Sequence, residues 1–386
     1  MVNLPTTEPT RIDHGFLELE KFLTGSLVVE LETLPSHSSA TIAVVSTTTP
    51  TRPTQLEYFA RHWALNDAKI PPLVEECDRE HGVWTLCPLG RRDPSGAASS
   101  ASSSMMSGLL AAVTGGKVGQ PHVRSEVTIT VPAAMLTTTT AGIKAGSEPR
   151  YTLDMRAANA SLALQGDAPH RWRRLCMKTC DGDLYISAGV QVAGTVELVT
   201  TTGTILVDNG NGTGAEPMHV GNQLTIKSTT AAITLRGSVT VGGGAAHFET
   251  VNGAISVHSL TPYAGGDVVL SSVNGSITVD ELRVPSPGHT DVTAGSVNAN
   301  VSVDLVSIGD TDGESQGTVR VKVTTVNGSV QLRMPVAWSY DYSLSTVIGK
   351  TSVRGKGFKK ARGTVGIAGS GCSVDASSVL GSIKIK

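Results

Sequence analysis

Through the C-terminal two thirds of the chain, apolar and polar residues alternate over short stretches, and the alternation keeps restarting from one phrase. Val251-Asn252-Gly253-Ala254-Ile255-Ser256-Val257 returns as Val273-Asn274-Gly275-Ser276-Ile277-Thr278-Val279 and as Val326-Asn327-Gly328-Ser329-Val330-Gln331-Leu332. The two apolar residues after each Asn-Gly are one residue apart, the period of a strand with one buried face. Asn-Gly is turn chemistry: Gly takes positive φ without steric cost, and Asn tolerates the left-handed region. Asn252, Gly253, Asn274, Gly275, Asn327 and Gly328 are therefore read as structural turns. A two-residue hairpin is one reading. A corner between successive faces of a solenoid is the other, and it fits better because the alternating strand lies mainly on the C-terminal side.

Weaker copies fill the intervals. Asp181-Gly182, Thr202-Gly203, Ala231-Ala232, Asn298-Ala299, Ile348-Gly349 and Leu380-Gly381 each precede a short alternating stretch. Successive copies are most often about 21 to 22 residues apart, the length of one β-solenoid coil with two or three short strands. The wider intervals follow Gly203, Ala299 and Gly349, and insertions such as Asn209–Met218, Pro285–His289 and Gly309–Gly317 read as loops between strands. The fold class expected is all-β, a parallel β-solenoid (β-helix) over residues 120–386.

Residues 1–90 read as an N-terminal α+β capping module. Strands are expected at Phe16–Glu20, Leu27–Glu32, Ala40–Val45 and Trp84–Leu86, and short helices at Leu56–Leu65 and Pro72–Arg79, with Thr54 or Asn66 as caps. Residues 91–119, rich in Ser, Ala and Gly, read as a flexible insertion in which Leu109–Val113 is an apolar spot. The strand pattern resumes at Glu126–Pro132. The closing strand Ser382–Lys386 is expected to form the outer edge of the solenoid, with Lys384 and Lys386 guarding it against casual pairing.

Composition agrees with a thin aliphatic core: 42 Gly, 4% aromatic and 17% charged residues in 386. A net charge of −2 gives no global attraction to nucleic acid or anionic membranes. No apolar run approaches the length of a membrane-spanning helix. Met1–Gly15 lacks an apolar signal core, and Glu8 and Asp13 fit poorly with a transit peptide. Five Cys in so long a chain do not make a disulfide framework. The setting expected is intracellular, with mitochondrion and cytoplasm both open. The sequons at Asn211, Asn274 and Asn327 follow from the turn phrase and are weak grounds for secretion.

The combination of a strand ending Thr-Val-Pro, Val127–Pro132, with tandem Val-Asn-Gly-x-Ile-x-Val coils resembles the putative-adhesin β-solenoid family of unknown function, which is widespread in bacteria and has FAM185-like eukaryotic members. The resemblance covers roughly residues 126–386 and, less closely, 14–90, and implies a right-handed, single-stranded parallel solenoid and no established catalytic residues.

Candidate chemistry is sparse. Asp304, Asp310, Asp312 and Glu314 would be needed on one face for a glycan-processing site, yet read more simply as a solvated loop, as do Asp280, Glu281 and Asp291. Trp338, Tyr340 and Tyr342 are the one tight aromatic group that could stack on a sugar. Cys176 and Cys180, with His170 upstream, lack zinc spacing and read as a buried small hydrophobe and its neighbour. No catalytic residue, cofactor or metal site is read, and no small-molecule substrate is identified. Two basic clusters stand out: Arg171, Arg173 and Arg174 around Trp172, and Lys350, Arg354, Lys356, Lys359, Lys360 and Arg362. Both suit a solvated loop or an anionic partner, an acidic protein surface or structural RNA.

The function expected is a non-catalytic structural scaffold, a subunit or assembly factor of a larger complex. The alternatives are a glycan-binding or glycan-processing β-helix protein and a surface adhesin.

Overall fold

The structure is a computed structural model. It describes seven backbone strands between residues 11 and 132, and residues 151–386 apart from 167–169, 188, 210–216, 286–287, 309–317, 355, 359 and 368–369. Among the described residues every regular element is a strand, and the strands form two long sheets. The chain winds as coils: in each, one strand belongs to one sheet (sheet B), and one or two belong to the other (sheet A).

The leading segment contains β1 (Arg11–Glu18), β2 (Gly25–Leu31), β3 (Ser38–Val45), β4 (Gln55–Ala64), β5 (Leu73–Asp78), β6 (Val83–Pro88) and β7 (Val123–Pro132). The central region begins with β8 (Tyr151–Ala157), β9 (Ala160–Gly166) and β10 (His170–Trp172). The next two coils are β11 (Arg174–Thr179), β12 (Leu184–Ser187) and β13 (Val190–Val192), then β14 (Val196–Thr200), β15 (Ile205–Asp208) and β16 (Met218–Val220). From β17 (Leu224–Ser228) and β18 (Ile233–Val241) onward, the two short sheet A strands merge into one. The coils continue as β19 (Ala246–Thr250) with β20 (Ile255–Pro262), and β21 (Asp267–Ser272) with β22 (Ile277–Pro285). Then come β23 (His289–Ser296) with β24 (Val301–Ile308), and β25 (Thr318–Thr325) with β26 (Val330–Arg333).

Pairing through this region is parallel and follows chain order. Ile205, Ile233, Ile255, Ile277, Val301 and Val330 are register partners in one column, and Val207, Leu235, Val257, Val279, Val303 and Leu332 in the next. All are buried. Sheet B supplies the opposing column Leu198, Ile226, Phe248, Leu270, Ala294 and Val323, in which the large Phe248 is offset by the small Ala294 two coils away. The core is thus a stack of aliphatic layers at about the 4.8 Å strand spacing.

The Asn-Gly phrases are corners between sheet B and sheet A, not hairpin turns. The physical role of the glycine differs from the sequence expectation. Gly253, Gly275 and Gly328 are not among the positive-φ residues. Their hydrogen atom is needed because the corners stack tightly: a Cβ on Gly275 would overlap the carbonyl of Gly253, and one on Gly253 the carbonyl of Ala231. Close approach, not left-handed backbone, selects Gly.

The chain ends with β27 (Tyr340–Ile348), β28 (Thr351–Val353), β29 (Lys356–Phe358), β30 (Lys360–Val365), β31 (Ser373–Leu380) and β32 (Ile383–Ile385). Here chain order and stacking order part. β31 pairs in parallel with β25 on one side and β27 on the other, and β32 lies likewise between β26 and β28. The last strands in sequence are therefore interior, which overturns the expectation that Ser382–Lys386 is the outer edge. Lys384 and Lys386 are exposed on the outward face of sheet A. The outermost coil is β27–β28, and antiparallel strands cover it: β30 on β27 and β29 on β28.

The other end is finished in the same way. β2 pairs in parallel with β8 and β6, and β3 with β9 and β7, so the earlier coil β2–β3 sits inside the later β6–β7. Antiparallel β5 covers β6, β4 covers β7, and β1 lies beyond β4. The helices expected at Leu56–Leu65 and Pro72–Arg79 are instead these antiparallel strands β4 and β5. β4 is paired on both edges, by β1 and β7, and β5 on one edge, by β6, and this pairing outweighs the helix preference of Leu, Glu and Ala. Residues 91–119, between β6 and β7, lie outside the described residues.

Candidate interaction surface

Each corner is held by a hydroxyl. Three residues before the Gly position stands Ser or Thr, buried at every corner but the half-buried Thr346, and most of these hydroxyls bridge two coils. Ser272 Oγ donates to Gly253 O (3.2 Å) and accepts from Gly275 N (2.8 Å). Thr200 Oγ1 makes the same pair of bonds to Gly182 O (3.0 Å) and from Gly203 N (3.2 Å). Thr179, Thr250, Ser296, Thr325, Ser378 and Thr346 each donate to the corner carbonyl of the neighbouring coil. This column satisfies carbonyls that the bend takes out of the sheet ladder.

Outside the hydroxyls run two exposed columns. In the first, Asn274 Nδ2 donates to Asn252 Oδ1 (2.6 Å), Asn298 Nδ2 to Asn274 Oδ1 (2.6 Å) and Asn327 Nδ2 to Asn298 Oδ1 (2.7 Å). Each amide thus fixes the next. In the second, Val251, Val273, Val297, Val326 and Val379 are 39–41% exposed. Backbone bonds between successive corners, Asn274 N to Val251 O and Val326 N to Val297 O among them, keep the valines in line. The register of β25, β31 and β27 carries both columns into the terminal coils. There Leu380 and Ile348 replace Asn, and Val347 and Ile348 reach 76% and 65% exposure. Asn252, Asn274 and Asn327 were read from sequence as turns only. The ladder they build was missed, as was the hydroxyl column, although Ser or Thr stands three residues before Gly or Ala in every copy.

The basic clusters are placed differently from one another. Trp172 is 1% exposed, inside the core, with its ring edge-to-face against His170 at 6.3 Å. No guanidinium cage surrounds it. Strand alternation sends Arg171 outward on sheet A, where Nε donates to Gln191 Oε1 (2.8 Å). Arg174 lies on sheet B and pairs with Glu197 at 3.5 Å. Arg173, between the two strands, is exposed. The second cluster does gather at one place, the C-terminal end of the rod. Lys350 and Arg354 flank β28, Lys356 lies on β29, and Lys360 and Arg362 on β30. Lys359 falls outside the described residues. Arg354 adopts positive φ (45°) and donates through Nη2 to Val336 O (3.2 Å). Its guanidinium also lies beside the Tyr340 hydroxyl, whose pKa burial raises while Arg354 opposes the shift.

The remaining candidates disperse. Trp338 and Tyr340 are buried in the core and Tyr342 packs partly against it, so the aromatic group offers no sugar platform. Asp304 pairs with Arg333 (2.8 Å), Asp280 with His258 (3.3 Å), Glu281 with Arg283 (2.7 Å) and Asp291 with His289 (3.0 Å). Asp310, Asp312 and Glu314 lie outside the described residues. Cys176 is buried and Cys180 exposed. Burial, reinforced by Asp154 and Glu197, pushes the Cys176 thiol up to about 12 against the opposing pull of Lys178 and Arg174. Among the described residues, no group of three or more His, Cys, Asp or Glu could hold a metal ion.

No family model and no curated protein matches the sequence. The structure is similar to that of a putative cell adhesion protein from Clostridium sporogenes, with 9% identity over 97% of this chain and 98% of the other, and a TM-score of 0.19.

Proposed function

We propose that the protein is a non-catalytic scaffold, a subunit or assembly factor of a larger complex, and that a protein partner lies along the valine–asparagine spine of its corners. The observation that carries this reading is the uniform exposure of the valine column, 39–41% at five successive rungs. Scattered exposed valines need no explanation, but a contiguous apolar stripe rimmed by polar amides has the make-up of an interaction site. The spine is rigid because hydroxyls and amides tie each rung to its neighbours, so binding it costs little ordering entropy. The pairing of Asp280, Glu281, Asp291 and Asp304 with basic side chains supports a role without chemistry, and the dispersal of Arg171, Arg173 and Arg174 favours protein over RNA. The test is a native pull-down with mass spectrometry, comparing the parent chain with Val273→Asp/Val297→Asp/Val326→Asp. The proposal expects a stoichiometric protein partner that the triple variant loses while its circular dichroism stays unchanged. A partner retained by the variant, or lost on RNase treatment, would overturn it.

A further inference from the structure

The two ends of sheet B carry opposite charge. The outermost strand at the N-terminal end is β5, Leu73-Val74-Glu75-Glu76-Cys77-Asp78, with three acids and no base. The outermost strand at the C-terminal end is β30, Lys360-Ala361-Arg362-Gly363-Thr364-Val365, with two bases and no acid. Sheet A repeats the contrast more weakly. Its outer strands are β1, with Asp13 and Glu18 against Arg11, and β29, which carries Lys356 between the turns of Lys350 and Arg354.

From this we infer that the protein associates with a second copy of itself, head to tail, the β30 edge of one copy meeting the β5 edge of the next. This contact lies at the ends of the sheets and meets the corner spine only at its last rung, Val347 and Ile348, and the inference stands without the proposed role of that spine. β30 is antiparallel to β27 and β5 is antiparallel to β6, so both run against the common direction of the coils. When two rods share an axis, β30 and β5 therefore run the same way, and both are six residues long. Each has an open side, because among the described residues β30 pairs only with β27 and β5 only with β6.

Charge on an edge strand ordinarily blocks edge-to-edge aggregation. Here it blocks β30 against β30 and β5 against β5, and leaves the β30–β5 contact electrostatically favoured. Such a contact uses a different surface on each partner and so propagates instead of closing into a two-fold dimer. Apolar surface waits at the same end. Pairing of β27 with β30 stops at Ser345, and beyond it Val347 and Ile348 are 76% and 65% exposed.

The test uses the full chain and two charge-reversed variants, Lys360→Glu/Arg362→Glu and Glu75→Lys/Glu76→Lys. Sedimentation velocity at low salt should show concentration-dependent species at integer multiples of the monomer mass, weakening as salt is raised. Either variant alone should raise the dissociation constant at least about tenfold, since like charges then face each other. An equimolar mixture of the two should restore assembly, because every junction in an alternating chain again joins opposite charges. A misfolded variant could not give that rescue. A parent chain that stays monomeric at about 100 μM and low salt, variants that assemble as well as the parent, or a mixture that fails to assemble would each overturn the inference.

Discussion

The central coils and the two ends of this molecule solve the same problem by different means. In the centre each coil lies between the coils that precede and follow it in sequence, and four successive corners, from Thr250 to Gly328, repeat hydroxyl, Val, Asn and Gly or Ala in register. At the ends the coil outermost in sequence is drawn one place inward, and the outermost coil in space is closed by antiparallel strands. The phrase decays there too. Leu380 and Ile348 stand where Asn stood, and Thr351 takes the column position of Ile277. A ladder of identical rungs suits a coil with two like neighbours. The last coil has only one, so it relies on a clamp and a cap.

The comparison can be broken most severely by deleting residues 371–386. A frayed outer strand would be lost cheaply. An interior one leaves β25–β26 facing β27–β28 across an empty coil and removes Val374, Ala376, Ile383 and Ile385 from the core. A loss on the order of 5 kcal/mol is expected, or no soluble protein, measured by urea unfolding. Replacing residues 355–365 with a Gly-Ser linker removes only the cap and should cost far less.

Within the core, Val279→Ala should cost about 2 kcal/mol, and Val353→Ala, in the same column but in the terminal coil, roughly half as much. Equal costs would mean that the end coil packs as firmly as the middle.

Ser272→Ala removes a buried hydroxyl that serves two coils and should cost about 1–2 kcal/mol, read as a shift of the unfolding midpoint at unchanged slope. Asn274→Ala breaks two exposed amide bonds and should cost about 0.5 kcal/mol. If the order of these two were reversed, the exposed ladder and not the buried hydroxyl would be the chief tie between corners.

The thiols give the mildest test. At pH 8 a thiol titrating near 12 carries almost no thiolate, the reactive form. Alkylation with mapping by mass spectrometry should mark Cys180 and spare Cys176 until the protein unfolds. The folded-state pKa of Cys176 lies above the ordinary thiol value. Its contribution to stability is therefore complete below that value and falls as pH rises toward 12. Early labelling of Cys176 would show that the sheet B face around Glu197 opens readily.

Much of the central architecture was legible in the sequence because each coil is a local unit. The alternation after Asn252-Gly253 and its copies marks the strands, and the interval of about 21 to 22 residues marks the coil. Several things escaped. The strands β4 and β5 carry helix-forming residues and become strands through their partners, β1 and β7 remote in sequence for β4 and the adjacent β6 for β5. The placement of β31 and β32 depends on stacking order, which no local pattern records. Trp172 was taken as the centre of a basic cluster, although period-two alternation through Arg171-Trp172-Arg173 already separates the indole from its neighbours. The ladder and hydroxyl columns were visible as letters, but their meaning depends on corners lying directly above one another.

The inward placement of β31–β32 bears on how the chain reaches this structure. A solenoid whose coils stack in chain order can form as it is synthesised, each turn docking on the one before. Here β27 and β28 emerge first and their places beside β25 and β26 belong to strands made later. Either they wait undocked, or they dock one rung too early and must be displaced. β2 and β3 meet the same delay in mirror form, because the outer partners β6 and β7 follow them. Assembly by accretion is confined to the middle of the rod, and its two ends are completed by long-range closure, the slow kind of step.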